Sequence, residues 1–140
     1  MPTRTWALAF ANDWCDAWNR RDLDAVMAHY ADEVELNSPL VVRRWGIESG
    51  WLRGKDRLRE NFARGMQTPG LHFTFVNVLL GAQSLCVIYQ RETGALVTDL
   101  IELDASDLAV RVVACHENGV PAPQQQPTLA ASEGTSVGRE

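Results

Sequence analysis

The stretch WALAFANDWCDAWNRRDLDAVMAHYADEVELNSP (residues 6–39) decides the fold, because the period of its apolar residues changes twice. Trp6, Phe10, Trp14 and Trp18 recur at every fourth position, with Ala7, Ala11 and Ala17 on the same side. A four-residue repeat drifts by only about 40° per step at 3.6 residues per turn, so these side chains form one broad helical stripe. Asn19-Arg20-Arg21 interrupts it. Asp22 then caps a second helix, on which Leu23, Val26, Met27 and Tyr30 follow at helical spacing. Next the period falls to two: Val34, Leu36 and Ser38 share one face of a short strand, and Pro39 ends it.

Residues 40–54, punctuated by Gly46, Gly50 and Gly54, read as an irregular loop carrying Val41, Val42, Trp45, Ile47, Trp51 and Leu52. A third helix is predicted over 56–66, with an apolar edge of Leu58, Phe62 and Met66. Four strands follow, at 72–80, 84–91, 95–103 and 109–116, joined by connections short enough for hairpins. Helix, helix, strand, helix and a meander of strands make an α+β domain over residues 1–117. A curved sheet wrapped around three N-terminal helices would form a cone with an internal cavity. Residues 118–140, rich in Pro, Gln, Ser and Gly, are expected to be a disordered tail.

Composition narrows the function. The chain has 140 residues, 46% hydrophobic and 22% charged, which suits one domain with one core. Thirteen basic against 18 acidic residues give a net charge of −5, which speaks against a nucleic-acid partner. The N-terminal stretch breaks its apolar run at Asn12 and Asp13, with neither a signal-peptide core nor a membrane span, so a cytoplasmic domain is expected. Cys15, Cys86 and Cys115 are scattered, with no CxxC and no clustered His, which argues against a zinc site and a disulfide framework. No metal set, phosphate loop or dinucleotide fingerprint is present, and no cofactor is expected.

The run from Trp14 to Pro39, with its aromatic helix, Asn corner, Asp-Leu-Asp (22–24), Tyr-Ala-Asp-Glu (30–33) and a strand closing in Ser-Pro, resembles the opening of the nuclear-transport-factor-2-like superfamily. Gly54-Lys-Asp-Arg-Leu58 is similar to the glycine that opens the third helix there. The resemblance spans residues 6–116 and implies a cystatin-like α+β barrel, with ketosteroid isomerases and SnoaL-like polyketide cyclases as the nearest enzymes. In the isomerases a helix tyrosine and a protonated late-strand acid form an oxyanion hole, and an Asp before the strand-ending Pro moves the proton. Those positions fall here on Trp14, Asp99 and Ser38, so two of the three roles are missing or altered.

Among polar residues, Asp99 alternates with Val97, Ile101 and Leu103, which puts a carboxyl on the apolar face of its strand. Desolvation there raises its pKa and lets it donate a hydrogen bond when neutral or take a proton when ionised. The bland alternative is a carboxylate paired with a neighbouring strand or helix end. His116 shares a face with Val112 and Ala114; the resemblance places it at the cavity wall, where contact with Asp99 would favour its charged form. A half-exposed polar plug is the other reading. His29 and His72 are expected at the surface or rim.

Tyr30 either fills the core or reaches the cavity, and Tyr89 lines the cavity or the opposite face. Ser38 can donate or accept a hydrogen bond but is no strong base. Trp14, Trp18, Trp45 and Trp51 are placed to line or lid one cavity suited to a flat apolar ligand, or else pack the core; Trp45 and Trp51, on the glycine-punctuated loop, are expected at a lid or a dimer contact. Val97, Ile101 and Ala114 complete the expected wall. Arg43, Arg44, Arg53, Arg57, Arg59 and Arg64 read as a solvated, salt-bridged surface, while Arg91, at a strand end, has a second reading as a contact for an anionic substrate. The outward side chains Leu100 and Val113 argue for a homodimer through the sheet.

The expected function is therefore a small-molecule pocket performing cofactor-independent proton transfer, dehydration or cyclisation on a hydrophobic carbonyl or polycyclic compound. Asp99 and His116 are the expected catalytic pair. The alternative is a non-catalytic ligand-binding or dimerisation module of the same fold. An epoxide hydrolase would need a second carboxylate beside Asp99.

Overall fold

The computed structural model describes residues 1–122; most of the expected tail, residues 123–140, lies outside the described residues. The elements in chain order are α1 (Arg4–Asn19), α2 (Leu23–Met27), β1 (Tyr30–Asn37), α3 (Pro39–Trp45), β2 (Trp51–Arg53), α4 (Lys55–Gly65), β3 (Thr74–Leu80), β4 (Ser84–Gln90), β5 (Leu96–Leu103) and β6 (Ala109–His116). The architecture is α+β, with one six-stranded sheet in the order β2-β1-β6-β5-β4-β3. Only β1 and β6 pair in parallel; the other neighbours are antiparallel. The sheet is mixed and open, with β2 and β3 as free edges, so the expected barrel does not close.

Local chemistry explains the elements. The Thr3 hydroxyl accepts from the Trp6 N–H and caps α1, whose stripe buries Phe10, Trp14 and Trp18. At the other end, the Asn19 side-chain amide makes both backbone hydrogen bonds of Phe73, donating at 2.9 Å and accepting at 2.7 Å. The polar corner that breaks the helical pattern thus ties α1 to the chain entering β3.

The second helix is shorter than its apolar spacing predicts. Tyr30 is the first residue of β1, not the last turn of α2. Its position satisfies both a seven-residue helical step from Leu23 and a two-residue step towards Val34 and Leu36. Pairing with Ala109 of β6 settles the conflict in favour of strand.

The expected loop over 40–54 is instead largely a helix and a short strand, giving four helices rather than three among the described residues. Ser38 leaves the strand to become the N-cap of α3, accepting from the Leu40 N–H at 3.1 Å, with Pro39 in the first turn. Gly46, at φ 67°, ends the helix in the left-handed conformation. A Ser-Pro start and a Gly stop are a cap signature, and seven residues between them make a short helix. Residues 51–53 then pair with β1 as an edge strand.

The core lies between the helices and the inner face of the sheet. Val87, Val97, Ile101, Val112 and Tyr89 point inward from β4, β5 and β6 against Trp14, Trp18, Val26 and Phe62. The Trp14 indole donates to the Tyr30 hydroxyl at 2.8 Å in this interior. Near the end of the described residues, the Arg43 side chain donates to the Pro121 carbonyl at 2.8 Å.

Candidate functional site

A cavity opens between the inner face of the sheet and α1, α3 and α4, with about 50 Å³ of space for the centres of water-sized spheres. That holds a few waters or the end of a small molecule. Trp14, Trp18, Phe62, Phe73 and Leu71 form its apolar side; Ser38, Arg44, Asn61, Tyr89, Arg91, Asp99 and His116 supply its polar groups. Leu40, Arg91 and His116 also border a larger outer cleft of about 220 Å³ on the same measure, so inner cavity and outer cleft share one rim.

Asp99 reaches the cavity because β5 alternates: Val97, Asp99, Ile101 and Leu103 are buried, while Leu96, Leu100 and Glu102 are exposed. The residue is only 5% exposed. The one hydrogen bond to its carboxyl among the described residues is a long one, from the Tyr89 hydroxyl to Oδ1 at 3.4 Å. Burial pushes the carboxyl up to about 7, and the Tyr89 contact pulls the other way. Near neutral pH, Asp99 is therefore present both as carboxylate and as acid.

His116 lines the same cavity, but the expected contact with Asp99 is not made among the described residues. Register is the reason. Asp99 stands opposite Ala114, and His116 stands opposite Val97, one diagonal step away. The expected charged imidazole is also reversed: burial, with Arg91 and Arg44 nearby, lowers the His116 pKa to about 4. Asp99 thus holds its proton to higher pH than His116 does, the opposite of their ordinary order.

The remaining expected residues divide. Trp14, Trp18, Ser38, Tyr89 and Ala114 line the cavity with the catalytic candidates. Trp14 and Trp18 are core and wall at once, buried on most sides and stacked at tilted or edge-on angles against Phe73, Tyr89 and Phe62. The Ser38 hydroxyl is engaged in capping α3. Tyr30, Val97 and Ile101 belong to the core around the cavity rather than to its lining. Trp45 lies outside too, its indole donating to Asn61 Oδ1 at 3.2 Å and its ring under Arg64. Trp51 is on the opposite face of the sheet, between the guanidinium groups of Arg53 and Arg111.

Sequence reasoning missed Arg44, Asn61 and Phe73. Arg44 was expected on a solvated surface; it lines the cavity, and burial with the charges of Arg91 and Arg64 lowers its pKa to about 10. The missed α3 is the cause, since one helical turn from Val41 points Arg44 towards α4 rather than solvent. Asn61 stands one position before Phe62 on the buried edge of α4, a polar residue where the period called for an apolar one. Arg91 packs over the Phe73 ring and pairs with Glu92 at 3.0 Å. His29 pairs with Asp13 at 2.8 Å, away from the cavity.

Comparison with known proteins agrees with the α+β fold. The SnoaL-like domain model matches residues 11–119. A SnoaL-like protein of unknown function from Burkholderia thailandensis E264 is 34% identical, with 81% of this chain and 96% of that one covered and a TM-score of 0.78. A candidate ketosteroid isomerase from Kribbella flavida DSM 17836 is 19% identical, covering 94% and 90%, with a TM-score of 0.58. A candidate polyketide cyclase from Sinorhizobium meliloti is 11% identical, covering 74% and 91%, with a TM-score of 0.61. At those two identities the likeness shows the fold alone. No curated protein gives a significant sequence match. No described helix is long and apolar enough to cross a membrane. With most of its length matched by the family model and a third of the aligned positions identical to a SnoaL-like structure, this chain belongs to the SnoaL-like family.

Proposed function

We propose that the chain is a cofactor-independent acid/base enzyme of the isomerase, dehydratase or cyclase type, acting on a hydrophobic carbonyl compound, with Asp99 as the group that moves the proton. The carrying observation is a single buried carboxyl on an apolar cavity wall, near half-ionised at neutral pH. A general acid or base works best when its pKa lies near the working pH. As carboxylate, Asp99 takes a proton from carbon next to a carbonyl. As acid, it returns that proton or donates to the oxygen that gains charge. Neutral His116 offers one donor and one acceptor beside it, and the aromatic wall keeps water from competing. The inner cavity admits the reacting end of the substrate, and the rest lies in the outer cleft past Leu40, Arg91 and His116.

The test is hydrogen–deuterium exchange at carbon, followed by proton NMR with hydrophobic ketones in heavy water. Wild type should accelerate exchange with an apparent pKa near 7, faster as Asp99 loses its proton. Asp99→Asn should lose about 10²–10⁴-fold. Exchange that survives the substitution unchanged rules Asp99 out as the acid/base.

The rival, a binding or dimerisation module, is favoured by Ser38. Its hydroxyl is spent on capping α3, so the proton-transfer position of the isomerases holds no base here. A pocket that binds ketones without exchange would support it. In either case we infer a homodimer through the outer sheet face. There Trp51, Asn37, Val113, Leu100, Cys86 and Leu79 stand in one transverse row, and Leu79 and Leu100 are exposed apolar side chains.

A further inference from the structure

The polar wall of the cavity has more donors than acceptors. Arg44 enters from the last turn of α3 beside Gly65, which the Trp18 ring also approaches. A Cβ added at Gly65 would stand 3.3 Å from Arg44 Nη2 and 3.4 Å from Trp18 Cη2, so glycine there leaves the guanidinium its room. Nη1 of Arg44 donates to the Asn61 carbonyl at 3.4 Å and to Asn61 Oδ1 at 3.3 Å, both longer than ordinary N–H···O bonds. Asn61 Oδ1 is already taken by the Trp45 indole. Among the described residues no carboxylate pairs with Arg44, whereas Arg91 has Glu92. A second, independent donor is the Trp18 indole N–H, which is buried and has no acceptor. A half-buried cation with no carboxylate partner, near a buried N–H with no acceptor, calls for a ligand that brings oxygen acceptors and negative charge.

We propose that the cavity binds a small organic carboxylate, its charged end held by Arg44 near the Trp18 ring, and its carbon chain directed along the aromatic wall towards Asp99. The inference rests on the cavity being a small-molecule site, as read above. An oxo acid meets both demands: a carboxylate for Arg44, and a carbonyl that acidifies the neighbouring C–H for Asp99. A planar guanidinium matches a carboxylate with two parallel hydrogen bonds, which an ester or amide cannot accept equally.

The test compares benzoate with benzamide, and 4-methyl-2-oxopentanoate with its methyl ester, by titration into the full ¹⁵N-labelled chain. The Trp18 indole resonance, assigned with Trp18→Phe, is the local reporter. Each carboxylate should bind about tenfold or more tightly than its neutral twin and move that resonance. Arg44→Gln should abolish the preference, and Arg44→Lys should retain part of it. Should Arg44→Gln fail to fold, Gly65→Ala, which crowds the guanidinium, must lower the preference. Equal binding of acid and neutral twin, or a preference that survives both Arg44→Gln and Gly65→Ala, overturns the carboxylate inference and leaves the small-molecule site standing. No binding by any of the four compounds overturns both.

Discussion

Asp99 and Glu102 are three residues apart on β5, yet they face opposite sides of the sheet and meet opposite surroundings. Glu102 points outward and closes a ladder of alternating charge, Arg53–Glu35–Arg111–Glu102, that crosses β2, β1, β6 and β5 in register. Its carboxylate pairs with Arg111 at 3.2 Å in solvent. Asp99 points inward and has no cation paired with it among the described residues, only the long contact from Tyr89. The same functional group is a surface adhesive on one face and a titrating acid near pH 7 on the other. Solvent access and the choice of neighbour separate the two roles.

The comparison is most open to attack through pH. The folded Asp99 keeps its proton up to about 7, against an ordinary value of 3.8, while folded His116 gives its proton up above about 4, against 6.5. Between those limits the folded chain carries one proton on Asp99 and the unfolded chain carries one on His116. The two contributions to the pH dependence of stability therefore nearly cancel in wild type. In His116→Gln only Asp99 remains, and its raised pKa makes stability fall as pH rises from 4 to 7, by up to about 4 kcal/mol. In Asp99→Asn only His116 remains, and its lowered pKa makes stability fall as pH drops from 6.5 to 4, by up to about 3 kcal/mol. Urea unfolding across this range should give slopes of opposite sign. Slopes of the same sign would end the claim that the inner face inverts the two proton affinities.

A smaller effect sharpens the picture of the inner face. Tyr30→Phe removes the acceptor of the buried Trp14 indole and should cost about 1–3 kcal/mol of unfolding free energy, since a buried donor is left unmade. On the outer face, Glu102→Gln should cost less than about 1 kcal/mol and progressively less as salt is added. A larger loss would mean that the ladder is as desolvated as the cavity. Leu100→Lys, at a residue 44% exposed, should change monomer stability by no more than about 0.5 kcal/mol. Its effect should appear in sedimentation, as a shift from dimer to monomer. An unchanged molecular mass would remove the outer face as the contact.

The strands of the meander were legible because alternation and turn chemistry are local, and β4, β5 and β6 lie within a residue of the predicted bounds. The inward side of Asp99 followed from the same alternation. Less legible was the region from Tyr30 to Arg53, where two periods overlap and a seven-residue helix is too short to establish one. Its signals were caps rather than periodicity: Ser38, Pro39 and Gly46. With α3 unread, Arg44 passed for a surface charge. Trp51 and Trp45 passed for cavity residues because aromatic bulk says nothing about which face a side chain takes.

The sequence by itself determined the α+β class, the inner and outer faces of the meander, the aromatic stripe of α1 and the desolvated position of Asp99. Each follows from periods and propensities that act over a few residues. Tertiary structure alone decided that Tyr30 joins the sheet, that His116 stands opposite Val97 instead of Asp99, and that Arg44 turns inward against Gly65. Those outcomes depend on strand register and helix placement, which are set by which distant surfaces bury one another and not by any neighbour in the chain.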